Sequence, residues 1–379
     1  MRHVPAFCES RQPWLLETIR ALVARESPTH DKAAVDACGR ELAHRLEAIG
    51  ARVTTIAESA AGDHLRAEFG HGDRQILLLG HFDTVWDVGQ LRVMPLGEDE
   101  GRLRGPGVFD MKAGIALGML AARALFERDD APDARLVMLW TADEETGSAT
   151  SRALIETEAR GSNAVLVLEP ALPGGAVKTS RKGCGGYELI VHGVPAHAGI
   201  DPSKGASAIH ELARQILRLE ALQDLDRGVT VNIGVVAGGT RRNVVAAEAR
   251  ASIDVRIPTM ADAAAVDEAL RRLAPELPGT RLELRGAIDR PPLERGAGVL
   301  RLYEIARDVA TALGKTLGEG ATGGGSDGNF TAALGVPTLD GLGAIGDGAH
   351  ALHEYVVVAD LGWRAALIAG LFDQLVTRL

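Results

Sequence analysis

The chain reads as an α/β protein, a mixed and mainly parallel sheet flanked by helices, with a ferredoxin-like α+β domain inserted into it. Three observations predict this. Strand-like runs rich in Val and Leu alternate with helical runs through the first half. Between about Arg181 and Ile288 the order becomes β-α-β-β-α-β, that of a ferredoxin-like unit. After Pro291-Pro292 the helical patterning resumes. A length of 379 residues accommodates two cores, because single cores stop growing near roughly 250 to 300 residues.

The elements follow in order. Apolar residues recur at helical spacing over Trp14–Ala24 and Ala33–Ile49, separated by Ser27-Pro28-Thr29-His30. Strands are expected at Arg52–Ile56, Leu65–Phe69 and Gln75–Leu79, then a helix at Ala113–Phe126 and a strand at Ala134–Trp140. A helix at Ser148–Glu158 and a strand at Ala164–Leu168 complete this half. The insert contributes strands Tyr187–His192, Val229–Val236, Ala247–Ile257 and Arg281–Arg285, with helices Ala206–Leu219 and Ala261–Leu273. The returning segment holds a helix over Gly298–Leu313, a glycine-rich stretch over Gly318–Gly328, a short strand at Pro337–Leu339 and a closing helix over Val358–Leu379. The expected boundaries are 1–180 with 289–379 for the large domain and 181–288 for the insert.

Composition narrows the function classes. A hydrophobic fraction of 46% and a charged fraction of 24% are those of a folded globular chain. The net charge of −10 argues against nucleic acid or an anionic membrane surface as partner, since both demand a positive face. Cys8, Cys38 and Cys184 are odd in number and lack CxxC spacing, so neither a disulfide framework nor a thiolate metal site is suggested. With no apolar leader or run of about 18 apolar residues, the expectation is a cytoplasmic protein acting on small molecules.

The chemistry lies at strand ends. Glu144-Glu145 follows Leu136–Trp140, His81-Phe82-Asp83 follows Gln75–Gly80, and Glu169-Pro170 follows Ala164–Leu168. Asp110-Met111-Lys112 follows Gly105-Pro106-Gly107, and His353-Glu354 comes late. Open α/β sheets place their ligand crevice at these ends. Adjacent carboxylates repel, and a divalent metal on one leaves the other free as a base. Two divalent ions joined by a bridging carboxylate can be held by His81, Asp110, Glu145, Glu169 and His353, a thiolate-free set that suits zinc, with cobalt or manganese as substitutes. Asp83 can accept the second ring proton of His81, and Glu144 remains as general base. Taken singly, each has a plainer reading: a surface histidine, a solvated acidic helix start, or a turn residue.

The order His81-x-Asp83, Gly107-x-x-Asp110-Met111-Lys112, Glu144-Glu145-x-Gly147, Glu169-Pro170 and a late His353 resembles the M20 metallopeptidases over nearly the whole chain. Within them, Arg181-Lys182-Gly183 and Pro195-Ala196-His197-Ala198-Gly199 resemble glutamate carboxypeptidases of the carboxypeptidase G2 type. The resemblance implies a zinc-exopeptidase-like catalytic domain with an inserted dimerisation and lid domain. It implies two zinc ions per subunit: one on His81 and Glu169, one on Glu145 and His353, bridged by Asp110. It implies Glu144 as base, Asp83 as the partner of His81, and His197 as an oxyanion stabiliser supplied across a homodimer. Arg256 and Asn243 resemble the residues that hold the substrate's free carboxylate, and Gly325 lies in what resembles the glycine-rich substrate loop.

The implied activity removes a C-terminal amino acid, glutamate above all, from an acidic peptide or N-acyl substrate. Acetylornithine deacetylase, succinyl-diaminopimelate desuccinylase and dipeptidase chemistry use the same centre. Two readings of other classes remain: a metal-free serine hydrolase using Ser326 within Gly324–Gly328, and a non-catalytic binding protein. Lys178 and Arg181 read as solvated charges at a hinge, with contact to an acidic substrate as the alternative.

Overall fold

The computed structural model describes residues 3–128 and 130–378. They fall into two compact units: one takes the chain up to Thr179, Arg295–Ala321 and the chain from Ser326 onward, the other Ser180–Glu294 with Thr322–Gly325.

Helices α1 (Val4–Ser10), α2 (Gln12–Val23) and α3 (Lys32–Ala48) come first. Proline occupies the first turn of α1 and α2, where its missing N–H costs nothing, and Asp31 Oδ1 caps α3 by accepting from Ala34 N at 3.1 Å. Then follow β1 (Arg52–Ile56), β2 (His64–Gly70), β3 (Gln75–His81), α4 (Ala113–Phe126), β4 (Arg135–Thr141), α5 (Arg152–Arg160) and β5 (Ala164–Val167). The second unit contributes β6 (Gly183–His192), α6 (Ala208–Glu220), β7 (Thr230–Gly238), β8 (Glu248–Ile257), α7 (Met260–Arg271) and β9 (Arg281–Arg290). The first unit closes with α8 (Ala297–Ala312), α9 (Gly328–Ala333), β10 (Thr338–Leu339) and α10 (Val358–Arg378).

The large sheet has the order β1-β2-β4-β3-β5-β10. Its β1–β2 and β2–β4 pairs are antiparallel and the rest parallel. Every residue of β3 and β5 is buried, as strands covered on both faces must be. Leu77, Leu79, Val137, Leu139, Val165 and Val167 form one core with Ile155 and Ala159 of α5. Register then decides where the site lies: His81 pairs with Thr141 and Leu79 with Val167, so three strands end together at their carboxyl edge.

In the second unit the strand order is β7-β8-β6-β9, wholly antiparallel, and α6 and α7 cover one face. This is the ferredoxin-like arrangement. Strand β6 begins at Gly183 rather than at Tyr187, and β9 runs to Arg290 rather than stopping at Arg285. Glycines 183, 185, 186 and 286 hide these stretches from a pattern of apolar alternation. Helix α5 starts at Arg152 rather than at Ser148, because Asp143 Oδ2 accepts from Thr150 N at 2.7 Å and holds the preceding residues in a turn.

A small four-stranded sheet has no counterpart in the sequence reading. Gly97–Asp99, Arg102–Arg104, Tyr355–Val357 and Gly346–Asp347 pair as antiparallel strands of two or three residues, too short to leave a period.

Candidate metal centre

His81 ends β3 fully inside the protein. Its Nδ1 lies 3.0 Å from the Asp83 carbonyl oxygen and 3.4 Å from Asp83 Oδ1, so the nearer acceptor is backbone rather than the expected carboxylate. The Asp83 carboxylate is occupied otherwise. It accepts from Glu144 N at 3.3 Å, Glu145 N at 3.2 Å and Thr29 Oγ1 at 2.7 Å. One residue thus sets the ring of His81 and fixes the turn carrying both glutamates.

The other ring nitrogen, His81 Nε2, stands 3.3 Å from Asp110 Oδ1 and 3.5 Å from Glu169 Oε1. Glu169 reaches this point because two glycines let the backbone pack tightly around it. A Cβ on Gly114 would lie 2.1 Å from the Leu168 carbonyl oxygen, and one on Gly343 would lie 2.2 Å from the same atom. On the other side of Asp110, Oδ2 is 3.3 Å from His350 Nε2, which is also 3.1 Å from Glu145 Oε2. Two groups of donors therefore meet: His81, Asp110 and Glu169, and Asp110, Glu145 and His350. Within each the ligand atoms lie within 4.8 Å of one another.

The histidine of the second group is His350, which corrects the expectation at His353. His350 sits in the turn between Gly346–Asp347 and Tyr355–Val357 with a φ of +60°, and that backbone turns its ring toward Asp110 and Glu145. His353 is exposed. The two histidines stand close together in sequence, and no periodicity inside an irregular turn distinguishes them. The glycine at Gly348, φ +85°, was the available sign of a sharp bend just ahead of His350.

The electrostatics suit a cation. Burial opposes a charged ring at His81, yet the carboxylates of Asp110, Asp83 and Glu169 raise its pKa well above the ordinary histidine range. Asp110 and Glu145 push His350 up to about 10 against some burial. Burial raises the Asp110 carboxyl, but the two imidazoles outweigh it and the net shift is downward; at Glu145 burial wins and the shift is upward. Asp110 Oδ1 and Glu145 Oε1 are buried without a hydrogen-bond partner. Buried carboxylate oxygens are costly to leave unsatisfied, and a hard or borderline cation between imidazoles and carboxylates satisfies them. The donor set fits divalent metal.

The remaining expected residues lie in the second unit or at its margin. His197 is exposed on a loop bridged to Val244, with its Nδ1 accepting from Gly199 N at 3.1 Å. Asn243 is exposed, and its carbonyl oxygen accepts from Ala198 N at 3.0 Å. Arg256 on β8 makes a forked pair with Asp254 at 2.9 Å through both Nε and Nη2, and that carboxylate raises its pKa. Gly325 leaves room that a Cβ would lose, 2.7 Å from Arg290 Cδ. Lys178 and Arg181 are buried, not solvated, and Arg181 Nη1 donates to the carbonyls of Gly324 at 3.2 Å and Gly325 at 2.8 Å. Ser326 is wholly buried, its hydroxyl donating to Asp340 Oδ2 at 2.5 Å. A nucleophile cannot work from there, which removes the serine-hydrolase alternative.

The chain is similar to known proteins over most of its length. The family model described as Peptidase family M20/M25/M40 matches residues 77–374. Carboxypeptidase G2 of Pseudomonas sp. is 30% identical over 96% of this chain and 90% of its own length. A succinyl-diaminopimelate desuccinylase of Bordetella petrii is 29% identical over 92% of this chain and 94% of its own. Among solved structures, aminopeptidase PepT of Bacillus cereus superposes with a TM-score of 0.81 at 24% identity, covering 96% of this chain and 98% of that one.

Proposed function

Because the chain belongs to peptidase family M20/M25/M40, we propose that it is a dizinc amidohydrolase that removes a C-terminal amino acid, glutamate or a similar residue, from small acidic peptides or N-acyl substrates. The observation that carries this reading is the pair of donor groups sharing Asp110, with buried carboxylate oxygens left for a cation. His81 and Glu169 would hold one zinc, Glu145 and His350 the other, and Asp110 both; cobalt or manganese would substitute. When bound, the cations supply a Lewis acid for the scissile carbonyl and lower the pKa of water.

The chain's own groups do the rest. Glu144 takes a proton from the attacking water and returns it to the leaving amine. Asp83 holds His81 in one tautomer and pins the Glu144–Glu145 turn by its backbone N–H groups. Arg256 offers a planar fork to the substrate's terminal carboxylate, exchanging its bond to Asp254 for that partner. Asn243 adds an amide contact and the backbone at Gly325 approaches the ligand. His197 stabilises the developing oxyanion, delivered by the neighbouring subunit of a homodimer. Exposed Ile209 and Leu217 on α6, with Val235 and Val236 on edge strand β7, support such a dimer. Sedimentation at micromolar concentration tests it, and a monomer under all conditions would remove His197 from the mechanism. Three unpaired cysteines support a reducing, cytoplasmic setting, and no helix among the described residues is long and apolar enough to cross a membrane.

Likeness to carboxypeptidase G2 supports release of a C-terminal residue, and the resemblance of Arg181-Lys182-Gly183 and Pro195-Ala196-His197-Ala198-Gly199 to glutamate carboxypeptidases supports glutamate as that residue. The desuccinylase relative, similar to nearly the same degree, supports a second reading as an N-acyl amino acid deacylase. A hydrolysis panel of N-acyl-glutamates, other N-acyl amino acids, N-succinyl amines and dipeptides with the zinc-loaded protein separates them. Fastest release of glutamate is expected; preference for N-succinyl amines would favour the second reading, and a metal-loaded protein that cleaves none of these amides would contradict both.

A further inference from the structure

Glu354 is 1% exposed, and the carboxylate faces four N–H donors. Its Oε1 accepts from Phe109 N at 2.8 Å and Asp110 N at 3.0 Å; its Oε2 accepts from Gly107 N at 2.9 Å and Trp86 Nε1 at 3.0 Å. A carboxylate offers about four lone-pair sites, so this set saturates it. The donors come from two segments that carry site residues. Trp86 lies just beyond His81 and Asp83, and the turn through Gly107 and Phe109 delivers Asp110, while Glu354 itself follows His350 in the same turn.

We propose that Glu354 is a positioning residue of the dinuclear centre, tying the backbone of the bridging Asp110 to the turn of His350 so that one cation can be shared between them. The inference rests on the two-metal reading. Asp110 lies between a left-handed Gly107 and the start of α4, and the φ and ψ at Asp110 and Met111 are non-helical, so its backbone is not set by a regular helix. His81 and Glu169 leave the parallel sheet directly and gain their position from it. The group Asp110, Glu145 and His350 draws two of its three members from segments Glu354 joins, so it is the group whose affinity Glu354 sets.

Groups that orient metal ligands are worth about 10- to 100-fold in affinity. Glu354→Gln turns an NH₂ toward two N–H donors and breaks the set. Metal-free protein titrated with cobalt chloride, followed by visible absorption and chelator competition, reads the effect without turnover. In Glu354→Gln the first equivalent is expected to bind as in the unmodified chain and the second about 10- to 100-fold more weakly. Trp86→Phe removes a single donor from the periphery and is expected to weaken the second equivalent by a smaller factor, which keeps the test open should Glu354→Gln fail to fold. Glu211→Gln is the control: Glu211 accepts from Glu276 N at 3.0 Å and Leu277 N at 2.7 Å and supports a backbone turn in the same manner, within the second unit, which holds none of the ligands. It should leave both equivalents unchanged. Equal binding of both equivalents in folded Glu354→Gln, or in Trp86→Phe if the first variant does not fold, overturns the inference and leaves the two-metal reading intact. An unmodified chain that takes up no cobalt overturns that reading, and this inference with it.

Discussion

Glu144 and Glu145 are neighbours in sequence whose backbone N–H groups both point at Asp83, so their side chains leave the same turn. Glu145 meets His350, and under the proposed mechanism Glu144 is the base. Glu144→Gln should lower kcat by about 10²- to 10⁴-fold, the usual worth of a general base, with metal content unchanged by elemental analysis; wild-type turnover would refute the role. The two late histidines give the complementary comparison. His350→Ala should lose one metal equivalent, whereas His353→Ala should retain both and most of the activity. Of the candidate site, the strand-end residues His81, Asp83, Glu144, Glu145 and Glu169 were legible because hydrophobic runs announce where strands stop. His350 and Glu354 were obscured, since an irregular turn carries no period and a carboxylate that accepts from backbone and indole N–H groups looks like any surface acid.

Elements bring those residues together through register and close packing. The pairing of His81 with Thr141 and of Leu79 with Val167 fixes three strand exits at one edge. A slip of one residue would turn His81 to the opposite face. At the exit of β5 the constraint is steric. Gly343→Ala would bring a methyl to 2.2 Å from the Leu168 carbonyl and 2.6 Å from that of Glu169. It should cost about 1–3 kcal/mol by denaturant unfolding and weaken the metal held by His81 and Glu169; unchanged stability and binding would mean that the backbone there yields freely. Among the elements legible in the sequence were β1 and α4, whose limits coincide with expectation. The paired two- and three-residue strands that carry the His350 turn were not, because segments so short leave no period and Tyr355–Val357 also depends on Arg102–Arg104, far away in sequence.

At the scale of the molecule, a cluster of buried acids is a liability until a cation neutralises it. Asp110 Oδ1 and Glu145 Oε1 lack hydrogen-bond partners, and the two imidazoles supply the only positive charge the donor groups themselves contain. Ligand binding to the folded state alone adds RT ln(1 + [L]/Kd), about 2.7 kcal/mol at a hundredfold excess over Kd. Chelation should therefore lower the Tm and zinc restore it, by calorimetry; a melting curve indifferent to both would argue that no cation belongs there. The overall α/β class and the β-α-β-β-α-β string were legible from alternation alone. What alternation does not encode is the convergence of residues from opposite ends of the chain on Asp110, which depends on chain reversal through the second unit and back.

Anomalous diffraction at the zinc edge, on crystals grown with zinc, tests the shared-carboxylate centre most directly. The expected map holds two peaks, one beside His81 and Glu169, one beside Glu145 and His350, with Asp110 touching both. A single peak, or a peak held by His353 with His350 turned away, would contradict it.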